Sequence, residues 1–497
     1  MGNLRFKHGL PAAHSGAMAA FGQRRRISQQ AFDACVAENV EDCGMGREEA
    51  VWNAYEHFDF QNADLSAVDP DGPGERREAR DVLRIQVALL ARGVGGATRA
   101  ELDAALAFVA AACGKDAAPK AAAAARATVV AARGLAALAT LVDACVENGD
   151  RPLLLKCLPA LAASVRGDAA ARDAFRYGGC VEAVLRVLRA AASAGDRRLG
   201  RAGLAVVAAA AAGTEGVKAP LVAGGACPLT VELVLAAVEA GDARLGAVAC
   251  RALAAVAAAD DPRAASAGAA ATATKLADAG AVNALLAALA AFGDEAAARA
   301  AVDGLALLAA SEDAAAEIVR AGGARACRDA LRERRGSAAR RRGLAGVLRH
   351  LAGDDGAKDA MCADGTLEEL LEVLERFRDE DPALGEHVVA CLARMALRRP
   401  ANAAKIGVAG GALVVAAMAR HPAHAGLNRQ GALALRNLVA RNPEHAAPLL
   451  AAGAEAALRA AAAADAANVD VAFAALRGLG VEAAMAPRGD ADPPRLL

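Results

Sequence analysis

The chain has 497 residues, 56% of them apolar, and a formal net charge of −1. That balance gives no whole-molecule electrostatic case for nucleic acid or for an anionic membrane as partner. With 10 Phe, 2 Tyr and 1 Trp there is too little aromatic surface for a base-stacking platform, and the 11 cysteines form no Cys-x-x-Cys pair, as expected of small core residues in a reducing compartment.

Arginine outnumbers lysine 49 to 8, which together with the abundant alanine reads as coding bias and supports no function. Residues 1–22 are expected to be disordered and lack the continuous apolar run of a secretory signal. Arg5, Lys7 and Arg24 to Arg26, without an acidic residue among them, are mildly like an organelle transit peptide, although Ser15 is the lone hydroxyl residue there. Met1-Gly2-Asn3 looks like a myristoylation start, but Phe6 stands where that motif needs Ser or Thr. A cytoplasmic location is expected, with a nuclear share left open.

Residues 23–68 differ from the rest of the chain. Six of the aromatic residues lie between Phe21 and Phe60, and ten acidic residues against one arginine lie between Glu38 and Asp71. Ser28 is placed to cap a helix starting near Gln29. The spacing of Val51, Tyr55 and Phe58, with Trp52 beside them, marks one apolar helical face. Phe32, Val36, Trp52, Tyr55 and Phe58 are the residues expected either to cap the open end of a repeat array or to present a helix to a partner. Residues 69–80 open with Asp69-Pro-Asp-Gly-Pro-Gly74 and read as a linker.

From about residue 81 to 480 the pattern is helical throughout. A glycine turn recurs at Tyr177-Gly178-Gly179, Ala223-Gly224-Gly225, Ala279-Gly280-Ala281, Ala321-Gly322-Gly323, Ala363-Asp364-Gly365, Ala409-Gly410-Gly411 and Ala452-Gly453-Ala454, in steps of 46, 56, 42, 42, 46 and 43 residues. Arg133-Gly134-Leu135 is a degenerate version. Such a period with only helices between the turns predicts an all-α, armadillo/HEAT-like right-handed α-solenoid of about eight to nine repeats, the first of them worn. The 56-residue step holds an insertion opened by Asp260-Asp261-Pro262-Arg263, which is either a binding loop or a tolerated surface loop. Residues 481–497 form a tail expected to fray.

The repeats resemble the armadillo family in Gly410-Gly411-Ala412 and in Gln430-Gly-Ala-Leu-Ala-Leu-Arg-Asn437-Leu438-Val439. One branch of that family is resembled more closely, through Arg26-Ile-Ser-Gln-Gln-Ala-Phe32-Asp33 and Ala63-Asp64-Leu65-Ser66, and again through Leu397 to Asn402, His421-Pro422 and Arg436 to Val439. The likeness runs over roughly residues 24–480, with the N-terminal segment its specific part. In that branch a His-rich run follows the Asp-Asp-x-Arg; here Ala and Thr replace it, so no ligand role is carried over. The resemblance implies a soluble intracellular interaction protein without catalysis.

Armadillo proteins that hold extended peptides use a ladder of third-helix asparagines. Laid over one another by the turn, the third helices here place Asn437, Arg394, His350, Leu307 and Ala255 at that position, so a repeated Asn ladder is not expected. The face instead grades from apolar in the middle to polar and cationic toward the C-terminus. Asn437, Arg394, His350 and Arg349 are the expected contacts. A basic run, Arg325, Arg328, Arg332, Arg334, Arg335, Arg340, Arg341, Arg342 and Arg349, suits carboxylates or phosphates. The reading is a non-catalytic, monomeric scaffold or adaptor for protein partners, with no cofactor, metal or membrane span. The alternative is a binder of nucleic acid or anionic lipid through Arg325 to Arg349. His421-x-x-His424 has no third ligand nearby and is not taken as a metal site.

Overall fold

In a computed structural model the described residues are 27–41, 43, 45, 50, 51, 53, 54, 57, 58, 75–263, 267–333 and 336–481. The disorder expected for 1–22 and the fraying expected beyond Val481 lie outside them, as do Trp52, Tyr55, Arg334 and Arg335. The chain forms two compact units that divide between Val82 and Leu83.

The first unit has its own small core. Its helix spans Gln29–Glu41, and Ser28 Oγ accepts a hydrogen bond from the Ala31 amide at 3.2 Å, the cap the sequence suggests. Phe32 is fully buried, with Val36, Ile27, Ala50 and Ala54 around it. Phe58 packs on Phe32 with ring centroids 6.1 Å apart.

The second unit is a solenoid. Helix Glu75–Gly96, which begins before the division and so inside the stretch read as linker, and helix Arg99–Ala112 precede the repeating units. Three-helix units follow, and their third helices are Arg151–Val165, Arg197–Ala211, Ala243–Ala257, Glu295–Leu308, Ala338–Leu351, Pro382–Ala396, Ala425–Val439 and Val469–Gly478. Each third helix packs directly on the next, more intimately than the first or second helices pack on theirs.

The recurring glycine supplies the corner between first and second helices. Gly179 at φ 75° and Gly322 at φ 78° take the left-handed conformation that side chains disfavour. In the degenerate turn Arg133 itself sits at φ 56°, and Gly134 serves another need: a Cβ there would lie 2.7 Å from Val129 Cγ1.

The turn expected at Ala409-Gly410-Gly411 is absent. One unbroken helix, Pro400–Arg420, runs through it. Its glycines provide space, since a Cβ at Gly410 would lie 2.5 Å from Leu371 Cδ2, and one at Gly411 2.7 Å from Leu449 Cδ2. Among the described residues this is the one helix long and apolar enough to cross a membrane. Ile406, Val414, Val415 and Met418 are nevertheless buried within the array, which makes it a fused first and second helix of the solenoid.

Candidate partner-binding face

The register of the third helices is set at their N-termini. Asp150, Asp196, Asp242, Asp294, Ser337, Asp381 and His424 are N-caps, and each side chain accepts the backbone N–H three residues on. Each such cap contributes about 1 kcal/mol by satisfying a donor that the helix cannot. Counted from these caps, Ala163, Ala209, Ala255, Leu307, His350, Arg394 and Asn437 fall on one equivalent position. The positions just before them are Ala162, Ala208, Ala254, Ala306, Arg349, Ala393 and Arg436. The floor of the face is therefore alanine through three units, alanine and leucine in the fourth, and gains an arginine in each of the next three.

The cationic part is a connected cluster. Arg394 Nη1 donates to the Arg349 carbonyl at 2.9 Å, and Asn437 Nδ2 donates to the Ala393 carbonyl at 2.8 Å, so each reaches back one helix. Arg349 Nη2 lies 3.2 Å from His350 Nε2. Burial, then the neighbouring Arg349, Arg394 and His387, pushes the His350 imidazole down to about 4. His387 is lowered by its burial and by Arg349, and burial, then Arg394, lowers the Arg349 guanidinium. Arg349 Nε and His387 Nδ1 are buried without a hydrogen-bond partner. His387 is a member that sequence reasoning missed, although it lies two helical turns before Arg394 on the same side of its helix, and Arg436 stands exposed beside Asn437.

The basic run is dispersed by the fold. Arg328, mostly buried, chelates Asp329 Oδ1 at 2.9 and 2.7 Å and donates to the Asp364 carbonyl. Arg325 lies 3.8 Å from Asp329, Arg332 3.2 Å from Glu369 and Arg340 3.5 Å from Glu333. Arg342 Nε donates to both oxygens of Asp381, at 2.9 and 3.0 Å, and Arg341 stacks over Phe377 at 4.1 Å. Arg349 belongs to the cluster above.

At the opposite end of the third helices an ion-pair staircase joins the early units. Arg99 Nη1 meets Asp150 at 2.6 Å, Arg151 Nη2 meets Asp196 at 3.0 Å and Arg197 lies 3.9 Å from Asp242. The cap amide and Arg151 together hold the Asp196 carboxyl down near 2, with the Arg151 hydrogen bond the larger cause.

The start of the insertion is a strap across the preceding units. Asp260 Oδ1 lies 2.7 Å from the fully buried Lys218 Nζ, which also holds Glu215 Oε1 at 2.8 Å and the Ala258 carbonyl. Asp261 accepts from the Glu215 amide at 2.9 Å, and Arg263 reaches Asp173 at 3.4 Å. His421 Nε2 lies 2.6 Å from the Arg378 carbonyl, and His424 Nδ1 caps its helix. Among the described residues no group of three His, Cys, Asp or Glu is placed to hold a metal.

Three helices per unit, a left-handed corner residue and a continuous row of third helices define an armadillo-type α-solenoid. Residues 24–73 match the family model described as the armadillo repeat-containing protein 6 N-terminal domain. The chain is 41% identical over 66 residues to armadillo repeat-containing protein 6 of Homo sapiens and 40% identical over 65 residues to that of Pongo abelii. Each match covers 12% of this chain and 13% of the relative's length, far less than the span of residues 24–480 over which the resemblance was drawn. A crystal structure of an engineered protein superposes with a TM-score of 0.63 at 19% identity, over 83% of this chain and 97% of that one. A designed armadillo repeat protein gives a TM-score of 0.44 at 19% identity, over 54% of this chain and 99% of its own.

Proposed function

We propose that the protein is a non-catalytic scaffold that binds protein partners along its third-helix face. The observation that carries this is the shared register. Ala255, Leu307, His350, Arg394 and Asn437 stand at one position of successive stacked helices, which makes a continuous lane one side chain wide. Its floor of small residues leaves room for an extended segment, and its polar end supplies donors for backbone or side-chain oxygens. The N-terminal unit spends Phe32 and Val36 on its own core, so its role is that of a separate module. Free thiols in the solenoid, all of them buried, suit a reducing intracellular compartment.

Affinity capture from native extract tests the reading. The baits are wild type and an Asn437→Ala/Arg394→Glu/His350→Ala variant whose helical circular dichroism is unchanged. A defined set of proteins held by wild type and lost by the variant is the expected result. Retention of the same set by both baits would remove the third-helix face as the functional surface.

A further inference from the structure

We infer that the lane takes a peptide with acidic residues at one end and small apolar residues at the other, its carboxylates seated on Arg349, Arg394 and Arg436. This rests on the scaffold reading and names the partner's chemistry.

The first support is where charge is left over. From Arg325 to Arg342 each described arginine other than the stacked Arg341 has a carboxylate of the chain beside it. Arg349, Arg394 and Arg436 make no ion pair among the described residues, although Arg394 and Arg436 are exposed. Glu386, the acidic residue of the same helix as Arg394, is directed to His424, 4.0 Å away. Arg394 and Arg436 thus present positive charge to solvent without an ion pair among the described residues, and the half-buried Arg349 beside them has Glu386 as a nearby carboxylate.

The second support is preorganisation. Arg394 is held against the Arg349 carbonyl, and Arg349 against His350. Both contacts hold the guanidinium planes in place before a ligand arrives. A guanidinium fork matches a carboxylate in two parallel hydrogen bonds, and a pre-positioned fork loses little freedom in making them.

The third support is the neighbouring floor. Toward the N-terminus the lane is Ala306, Leu307, Ala254, Ala255, Ala208 and Ala209, without an aromatic side chain on which a base could stack. That favours a peptide over a nucleic acid. Packed helices lie about 9–10 Å apart, and an extended chain rises about 3.3 Å per residue. Carboxylates on successive arginines are therefore expected about three residues apart.

The test is selection of a displayed library of random twelve-residue peptides on the full chain. Enriched clones are expected to carry paired Asp or Glu about three residues apart, beside Ala, Val or Leu. Synthetic copies, read by fluorescence anisotropy, are expected to bind Arg394→Glu about ten-fold or more weakly. Arg394 is exposed, so the substitution leaves the core untouched, and Leu307→Glu is the parallel variant on the apolar floor. Clones without acidic enrichment whose binding is lost in Leu307→Glu but kept in Arg394→Glu would overturn the acidic-partner inference and leave the lane intact. Absence of any enriched clone, or clones indifferent to both variants, would overturn both. Preferential binding of a single-stranded oligonucleotide through Arg394 would overturn the peptide assignment.

Discussion

The early and late units of the solenoid share one fold but are stitched differently along their third helices. Between Arg99 and Asp242 the stitches are ion pairs at the helix N-termini. From Arg349 onward donors to backbone carbonyls join the C-terminal ends as well, Arg394 on Arg349 and Asn437 on Ala393, while Arg342 on Asp381 and Asn468 on Ala425 still join N-termini. Guanidinium and carboxylate groups are thus used up among themselves in the first region, and its lane floor is left plain. In the second region the carbonyls take only part of each donor's capacity, and cationic groups remain for a partner. Cohesion between repeats and recognition are separate in the early units and share residues in the late ones.

The strap offers the sharpest way to break this contrast. Lys218→Met leaves Glu215, Asp260 and the Ala258 carbonyl without their buried cation. A loss of roughly 2–4 kcal/mol is expected, felt locally because repeats couple only to neighbours. Hydrogen exchange should quicken over 215–263 and stay unchanged beyond 338; uniform quickening would show the halves to be one cooperative block. Next in size, Asp196→Ala removes a cap and a stair, at about 1–2 kcal/mol. That penalty should shrink in 1 M salt (about 3 Å screening length), whereas the penalty of Asn437→Ala should not.

Acidification separates the regions by a different group. The His350 imidazole, near 4 in the fold against 6.5 unperturbed, binds fewer protons folded than unfolded between those values. Stability is therefore complete above pH 6.5, declines as pH falls toward 4 and levels off below. Discounted for solvent screening the loss is about 1 kcal/mol. His350→Leu should shrink the decline in chemical denaturation between pH 7 and 4.5, leaving the part due to the likewise lowered His387; an unchanged slope would assign it elsewhere. Asp196, the middle step of the staircase, responds only in stronger acid, because it stays ionised until pH approaches 2. The smallest expected effect is a gain. Arg133→Gly relieves a left-handed non-glycine corner and should raise stability by about 0.5–1 kcal/mol, visible as an upward shift in the melting temperature of the early units.

Much of the architecture was legible because it repeats. Gly179 and Gly322 were readable as corners, since a backbone requirement for glycine shows in the spacing itself. The equivalence of Asn437, Arg394, His350, Leu307 and Ala255 is kept in three dimensions because each lies thirteen residues after its helix's N-cap. Glycine carries two meanings, conformation and space, and at Gly410 spacing could not tell them apart. Charge partners were also hidden. Arg328 meets the carbonyl of Asp364 in the next unit, and Lys218 meets Asp260 across a whole helix pair. A run of arginines looks alike in sequence whether its counterions lie one unit away or nowhere. Whether Phe32 faces inward or outward was likewise undecidable from an amphipathic pattern that fits both uses.

The unbroken helix Pro400–Arg420 has a mechanical consequence. Elsewhere in the solenoid a first helix meets its second at a bent corner, and each corner is a joint through which the array can flex. Here the joint is replaced by a rigid strut, locked by Leu371 on one side and Leu449 on the other. The strut stands behind the helices that carry Arg394 and Asn437. Bending of the array is therefore expected to fall on the units on either side, with the spacing of these two side chains changing less than that of the alanine-floored stretch.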